Sequence, residues 1–227
     1  MLPEKILYED NHLIAVNKWC GEIVQADKSG DVTLLADVKQ FIKARDRKPG
    51  NVFLGLCHRL DRPSSGVVIF AKTGKALSRM NDEFRGGRVH KNYWAVVIKA
   101  PPLPEDHLIN YLVRNSKQNK SYAYWEAADG AKIAELKYRL TAKSDRYWLL
   151  DIDLITGRHH QIRAQLSAVG CTIRGDLKYG APHANPDGGI DLHARAIVFA
   201  HPVKKTPVNI AAPEPSGRIW DALKLTP

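Results

Sequence analysis

The sequence has 227 residues, of which 34 are lysine or arginine and 24 are aspartate or glutamate, so its formal net charge is +10. This excess favours a polyanionic partner, and nucleic acid fits better than an anionic membrane because no long amphipathic helix carries a continuous basic face. The apolar runs have only strand length, which excludes a membrane-spanning helix, and three widely separated cysteines provide neither a disulfide framework nor a zinc ribbon.

The first part of the chain combines short strands with two amphipathic helices. Apolar residues at helical spacing predict the helices, and Asp31 is the predicted cap of the first one. Gly86-Gly87 is expected to end the second. In order, the predicted elements are a hairpin of strands at 5–8 and 13–17, a helix over 33–43, a buried strand over 67–71 and a helix around 76–84.

The second part of the chain is richer in strands, and its prolines suggest a weak lobe boundary near 101–104. Strict alternation of apolar and polar residues over 132–143 predicts an antiparallel strand with one solvated face. Thr156 is the expected cap of a helix that ends at Gly170. The elements in order are a central strand over 89–99, an exposed basic loop at 115–120, paired strands at 132–143 and 147–154, the helix after 156, a loop at 180–189, a strand at 192–200 and a helix over 216–225. The pattern is typical of an α+β fold with mostly antiparallel strands.

One stretch, from Cys57 to Gly66, concentrates charged groups directly before the buried strand. A single carboxylate, Asp61, stands between Arg59 and Arg62 in a segment that Pro63 marks as a turn. A carboxylate among cations is held ionised, as a nucleophile or base requires. The alternative is a surface loop whose charge pairs only stabilise the turn.

Two further stretches carry groups that bind or react. Tyr93 lies in the predicted central strand, where an aromatic ring either fills the core or stacks on a nucleobase. At helical spacing Arg163 shares one side with His159 and His160 and is able to pair with Asp61. The alternative is that Arg158 and Arg163 only bind phosphates or solvate the helix. No metal-ligand spacing or phosphate-binding loop accompanies these residues.

The segment from His58 to Gly66 resembles the H-R-L-D-x-x-T-S-G signature of the RluA family of pseudouridine synthases. The resemblance extends, in the family's order, over about 6–213. Its further matches are the K-x-Y-x-A strand at 91–95, the G-R-x-H-Q-I-R helix start at 157–163, the G-D-x-x-Y-G loop at 175–180, and the last strand at 192–194 with His201-Pro202.

This resemblance implies a single catalytic domain over 1–227 with a pseudouridine synthase-like, mostly antiparallel mixed sheet in two lobes, flanking helices and a central catalytic cleft. It assigns catalysis to Asp61, base stacking to Tyr93, a salt bridge with the aspartate to Arg163, and the gap left by a flipped nucleotide to Arg59. The remaining RNA- or uridine-binding positions that we expect are His58, Arg62, Lys91, Arg158, His160, Gln161 and Leu166.

The implied reaction breaks the N1–C1′ bond of a uridine in tRNA or rRNA, turns the uracil and rejoins it through C5. It needs no cofactor and no metal. Asp61 acts either as a nucleophile or as a base toward C2′, and both roles remain open. We expect a cytoplasmic protein, because the N-terminus resembles neither a signal nor a transit peptide. We also expect a monomer that contacts neither membrane nor nucleotide cofactor.

Three departures from the family pattern concern substrate detail rather than chemistry. Ser64 replaces a threonine and keeps the hydroxyl, Trp19-Cys20 stands where proline and a small residue are common, and Gln165 replaces a histidine. The family often carries an N-terminal S4 RNA-binding module, whereas the catalytic domain here starts within the first few residues, so we expect that domain itself to hold the RNA.

Two other functions compete with this one. A non-catalytic RNA-binding or chaperone protein with the same fold is disfavoured by the intact Asp61, Tyr93 and Arg163. A nucleoside or glycoside hydrolase normally needs a second carboxylate, and none lies in the three chemical stretches.

Overall fold

A computed structural model describes residues 3–26 and 30–223. The chain divides into two compact units, the first formed by Met1–Val89 with Ala194–Pro213 and the second by His90–His193 with Glu214–Pro227. The division falls between Val89 and His90, and not in the proline segment at 101–104 where the sequence suggested it. None of the helices in the described residues is long and apolar enough to cross a membrane.

The described elements form an α+β fold with few helices. In chain order they are η1 (Pro3–Lys5), β1 (Ile6–Glu9), β2 (Leu13–Lys18), α1 (Leu34–Arg45), β3 (Gly55–Leu56), β4 (Ser65–Ala71), α2 (Gly74–Arg85), β5 (His90–Val97), β6 (Glu105–Asn115), β7 (Lys120–Tyr124), β8 (Lys132–Lys143), β9 (Trp148–Leu154), α3 (Gln161–Ala168), η2 (Leu177–Tyr179), β10 (Leu192–Ala200), β11 (Pro207–Ala211) and α4 (Arg218–Ala222).

Unit 1 is built on the antiparallel pair β2 and β4, in which Leu13 faces Ala71 and Lys18 faces Gly66. The predicted hairpin of β1 and β2 is confirmed. Both faces of β4 are covered, since Val67 and Ile69 lie in the core cluster that contains residues of α2, and Val68 and Phe70 lie in the cluster that contains residues of α1. A strand that is buried on both sides reads as a continuous apolar run, which is why the sequence showed it clearly.

Threonine residues cap both helices of unit 1. The hydroxyl of Thr33 accepts from the Ala36 amide at 3.2 Å, and Thr73 does the same for Ala76. The predicted cap Asp31 was therefore wrong. A hydroxyl directly before the helix reaches the third amide, whereas Asp31 lies two residues further back and its carboxylate pairs with Arg62 instead.

Unit 2 contains the antiparallel strand order β5-β9-β8-β6-β7. The predicted pairing of β8 with β9 is confirmed, but β6 and β7 were not predicted as strands, and only residues 116–119 of the expected loop turn between them. The polar Asn110 lies buried on the inner face of β6, which interrupts the alternation that marks a strand. The short strand β11 was also missed because it begins with Pro207, a residue typical of strand edges.

The helix expected after Thr156 begins later, at Gln161. Thr156 is not its cap, and His160 precedes the helix in a left-handed conformation with φ of 52°. His159 and His160 therefore lie outside the helix, and the argument that they share one helix side with Arg163 was wrong. The predicted C-terminal helix is shorter than expected, and residues 224 and 225 of that prediction lie outside the described residues.

Candidate functional site

Asp61 lies in the segment 57–64, which joins β3 to β4 in unit 1. The Cys57 amide donates to the Ile69 carbonyl at 3.2 Å, which keeps the start of the segment against β4. A turn closes its end, where the Ser64 amide donates to the Asp61 carbonyl at 3.1 Å. Asp61 is half-buried and Arg59 is exposed, so this turn presents a carboxylate and a cation to a ligand.

A buried lysine at the end of β2 holds this segment by its backbone. Lys18 is 0% exposed, and its ammonium donates to the carbonyl oxygens of Trp19 at 3.1 Å, Arg62 at 3.0 Å and Ser64 at 2.5 Å. Burial lowers the pKa of Lys18 to about 8, against the raising effect of Cys20 and other nearby groups. Three N–H bonds thus meet three carbonyls around the turn that carries Asp61.

Sequence reasoning missed this role of Lys18, although a signal was present. Side chains alternate between the two faces of a strand, so Lys18 lies on the same inward face as Ile14 and Val16. This alternation therefore predicts that its side chain is buried. A buried lysine needs acceptors, and a neighbouring turn offers carbonyls that secondary structure does not use.

The other residues of the signature loop have mainly structural contacts. The imidazole Nε2 of His58 accepts from the Ile69 amide at 3.2 Å, which indicates that Nε2 carries no proton. Arg62 donates from Nε to the Gly21 carbonyl and pairs with Asp31 at 3.1 Å. Both residues tie the loop to its surroundings.

Ser64 and Gly66 explain the end of the signature. The Ser64 hydroxyl is buried and has no hydrogen-bond partner among the described residues, so the Ser64 carbonyl, through Lys18, is what holds the turn. Gly66 has a φ of 115°, and a Cβ there would overlap the backbone of Ala194. Only glycine fits at this position.

In unit 2, Tyr93 is 8% exposed in β5, opposite Ile152 of β9. Lys91 lies two residues earlier on the same face of the strand, and its ammonium is 3.4 Å from the Thr156 carbonyl. Burial and the nearby charge of Arg158 lower the pKa of Lys91 to about 8. Two cations therefore lie close together on the side of β5 that carries Tyr93.

Gln161 fixes the turn that carries Arg158. Its side-chain oxygen accepts from the Thr156 hydroxyl at 2.7 Å and from the Arg158 amide at 2.9 Å. Its amide nitrogen donates to the Glu135 carbonyl at 3.1 Å. The guanidinium of Arg158 is anchored through Nε to the Ile133 carbonyl at 2.9 Å, and the residue is otherwise exposed.

Arg163 lies at the start of α3 and forms a bidentate pair that the sequence did not predict. Its Nε and Nη2 donate to the two carboxylate oxygens of Asp176 at 2.7 and 2.8 Å. The pairing of Arg163 with Asp61 remains a prediction. Leu166, which was expected at the uridine, is fully buried in α3.

His160 contacts Tyr179 rather than a helix neighbour. Its Nδ1 lies 3.1 Å from the Tyr179 hydroxyl, and its ring stacks on that of His159 with centroids 3.8 Å apart. The described residues contain no group of three or more His, Cys, Asp or Glu side chains able to hold a metal ion.

Gln165, which departs from the family pattern, joins α3 to two strands. It is fully buried, and its amide nitrogen lies 3.2 Å from the Leu108 carbonyl, 2.9 Å from Asn110 Oδ1 and 3.2 Å from the Ala134 carbonyl. Its oxygen accepts from Gln161 at 3.0 Å. Gln165 therefore helps to hold α3 against β6 and β8.

Comparison with known proteins identifies what these features resemble. A family model described as RNA pseudouridylate synthase matches residues 12–168. The chain is 32% identical to the ribosomal large subunit pseudouridine synthase D of Xylella fastidiosa, covering 94% of this chain and 67% of that protein. It is 31% identical to the ribosomal large subunit pseudouridine synthase C of Vibrio vulnificus, covering 93% of this chain and 66% of that protein.

Solved structures share the fold. The human RNA pseudouridylate synthase domain containing 4 superposes with a TM-score of 0.79 at 24% identity, covering 96% of this chain and 91% of the other. The human RNA pseudouridylate synthase domain containing 1 gives 0.73 at 22% identity, with 98% and 90% covered. The predicted fold class is confirmed.

Proposed function

This chain belongs to the RluA family of RNA pseudouridine synthases, and we propose that Asp61 is its catalytic residue and that its target uridine lies in large-subunit ribosomal RNA. The protein is an enzyme that isomerises uridine in RNA to pseudouridine, and RNA is its substrate. The names of its relatives, which specify the ribosomal large subunit, support rRNA over tRNA.

The observation that carries the catalytic assignment is the position of Asp61 within the family match, on a turn whose backbone Lys18 holds through three carbonyls. A half-buried carboxylate on a fixed turn is oriented and remains reachable by the ribose. It acts at the sugar as nucleophile or as base toward C2′ while the N1–C1′ bond breaks, and the turned uracil then bonds through C5.

The family resemblance assigns further roles to residues of unit 2. Tyr93 stacks on the uracil, Arg163 pairs with Asp61, and Leu166, His160 and Gln161 shape the uridine pocket. Lys91 and Arg158, two adjacent cations on the Tyr93 side of β5, bind backbone phosphate.

In unit 1 the exposed Arg59 occupies the gap that the flipped uridine leaves in the RNA, and His58 and Arg62 contact the RNA beside it. Unstacking a base costs a few kcal/mol, which contacts to the flanking phosphates offset. We propose that the chain acts as one catalytic domain and a cytoplasmic monomer, without metal or cofactor. The isomerisation is redox-neutral and therefore needs no redox cofactor.

The Asp61→Asn variant tests this proposal. Asparagine keeps the shape of the side chain but is neither a nucleophile nor a base, so we expect pseudouridine formation to fall below detection while RNA affinity stays within about threefold. Asp145→Asn, in the exposed turn between β8 and β9, is the matched control and retains full activity. Pseudouridine formation by Asp61→Asn at the wild-type rate would refute the role of Asp61.

Pseudouridine mapping in ribosomal and transfer RNA, from cells with and without the gene, tests the target. We expect one or more sites in large-subunit rRNA to disappear when the gene is removed. Loss confined to tRNA would overturn the rRNA assignment and leave the catalytic role of Asp61 intact.

A further inference from the structure

The strongest unexplained feature of unit 2 is the buried ion pair of Arg163 and Asp176. The two side chains are 5% and 1% exposed, and they form a two-point fork with N–O distances of 2.7 and 2.8 Å. Burying two charges costs several kcal/mol of desolvation, so such a pair adds little net stability over an apolar one. What the fork fixes is geometry, because two parallel N–H···O bonds set both the place and the plane of the guanidinium.

Asp176 is itself held firmly by its backbone. Its amide donates to the Ile173 carbonyl at 3.1 Å, and its carbonyl accepts from Tyr179 and Ala181 at 3.0 Å each. Gly175, directly before it, has a φ of 83°, and a Cβ there would lie 2.6 Å from the Gly189 carbonyl oxygen. The loop thus delivers the carboxylate to Arg163 from one fixed position.

Tyr179, from the same loop, is the second residue that contacts the guanidinium of Arg163. Its ring centroid is 5.1 Å from the Arg163 guanidinium carbon, within range of a cation–π contact. Its hydroxyl accepts from the Ser121 amide at 2.9 Å and donates to the Ser121 carbonyl at 3.0 Å. The hydroxyl proton of Tyr179 is used in the bond to the Ser121 carbonyl, so the hydroxyl accepts from His160 Nδ1 at 3.1 Å. His160 Nδ1 therefore carries a proton.

We infer that Asp176 is a positioning residue, which together with Tyr179 fixes the guanidinium of Arg163 in the orientation that the reaction uses. This inference rests on the proposed function, in which Arg163 acts on Asp61. A guanidinium has five N–H bonds, and Asp176 engages two of them along one edge, so the remaining N–H bonds are aimed in set directions. Without Asp176 the charge of Arg163 persists, but its direction is lost.

The first test is Asp176→Asn, measured as single-turnover rate and as RNA affinity. We expect the rate of pseudouridine formation to fall between about 10- and 100-fold while the dissociation constant for RNA changes less than threefold, because misorientation of a reacting group affects the rate and not the grip. The thermal midpoint, measured by circular dichroism, verifies that the variant is folded at the assay temperature.

Asp191→Asn is the matched control. Asp191 pairs with Arg174 at 2.7 Å in the same loop region, and its other carboxylate oxygen accepts from Asn185 at 2.9 Å. Asp191→Asn also removes an Arg–Asp ion pair, but one that does not hold Arg163, so we expect a rate within threefold of the wild type. An equal loss of rate in both variants would refute a specific role for Asp176.

A double-mutant comparison separates positioning from general support. If Asp176 acts through Arg163, then adding Asp176→Asn to Arg163→Ala costs no further rate, whereas additive losses would overturn the inference. Should Asp176→Asn fail to fold, Asp176→Glu keeps the charge and displaces it by one methylene, and we expect the same loss of rate with RNA binding retained. A wild-type rate in Asp176→Glu would then refute the positioning role.

The two proposals fail differently. An active wild type with an equally active Asp176→Asn variant refutes only the role of Asp176. An Asp61→Asn variant that still forms pseudouridine refutes the proposed function, and the role of Asp176 falls with it.

Discussion

Asp61 in unit 1 and Arg163 in unit 2, two residues of the proposed site, are held in opposite ways. In unit 1 a buried cation, Lys18, binds backbone carbonyls and fixes the turn, while the side chains of Arg59 and Asp61 extend from it. In unit 2 the side chain of Arg163 is held by other side chains, since Asp176 forms an ion pair with it and the ring of Tyr179 lies against it.

This difference follows from where each residue lies. A residue on a turn has no helix or strand to fix its backbone, so unpaired carbonyls must be satisfied by a donor from elsewhere. A residue on a helix such as α3 already has a fixed backbone, and what remains free is a long side chain with many rotamers. Backbone support therefore matters most in unit 1, and side-chain support in unit 2.

Lys18→Met should produce the largest loss of stability. Methionine fills the space of the stem but removes a charged donor from the carbonyls of Trp19, Arg62 and Ser64, although the Arg62 carbonyl still accepts from the Gly21 amide. This loss outweighs the relief of no longer burying a charge, so we expect about 2–4 kcal/mol less free energy of unfolding. Because the turn is released, the rate of pseudouridine formation should also fall at least about tenfold in the folded enzyme. Urea unfolding and single-turnover assays measure the two effects.

Lys72→Met is the control for this variant. Lys72 donates to Glu9 at 2.7 Å and to the Asp10 carbonyl at 2.8 Å in the same unit, but its side chain is 16% exposed and water replaces its contacts. We expect a loss below about 1 kcal/mol and a normal rate. If Lys18→Met matched Lys72→Met in both measurements, the turn would not depend on Lys18.

Gln165→Leu should have a smaller effect in unit 2. Leucine has a similar volume, but the carbonyls of Leu108 and Ala134 lose a neutral donor, for which we expect about 1–2 kcal/mol. Gln40→Leu on the exposed face of α1 serves as the control and should lie within about 0.5 kcal/mol of the wild type. A Gln165→Leu loss as large as that of Lys18→Met would contradict the expectation that losing a neutral donor costs less than losing a charged one.

Much of the fold was predictable where burial is uniform. The strands β2 and β4 read directly as apolar runs, and the alternation of β8 identified a strand with one wet face. β6 was not predicted because Asn110 occupies an inward position whose partner, Gln165, comes 55 residues later. When the hydrogen-bond partner of a buried polar residue is distant in the sequence, nothing in the neighbouring residues indicates that the polar residue is buried.

The candidate site was predictable where a motif is local. The turn around Asp61 and the strand around Tyr93 were located by spacing and resemblance, whereas the supports of the site were not. Lys18 reaches residues 44 and 46 positions away, and Arg163 finds Asp176 in a loop that was noted only for its resemblance. Pairings of this kind depend on tertiary structure, which a pattern along one chain does not encode.

A pH dependence of RNA binding is the smallest effect that we expect, and it tests the cation pair in unit 2. Lys91, with its pKa lowered to about 8 by burial and Arg158, is charged below that pH and loses its proton as the pH rises through it. RNA affinity should therefore weaken severalfold between pH 7 and 9, with proton uptake on binding at pH 8.5 because a phosphate favours the charged amine. Lys91→Arg keeps its charge throughout, so its affinity should stay level over the same range, while Lys137→Arg on the exposed face of β8 should keep the wild-type profile. Equal profiles for the wild type and Lys91→Arg would assign the titration to another group, such as Lys18, and would remove Lys91 from the phosphate contacts.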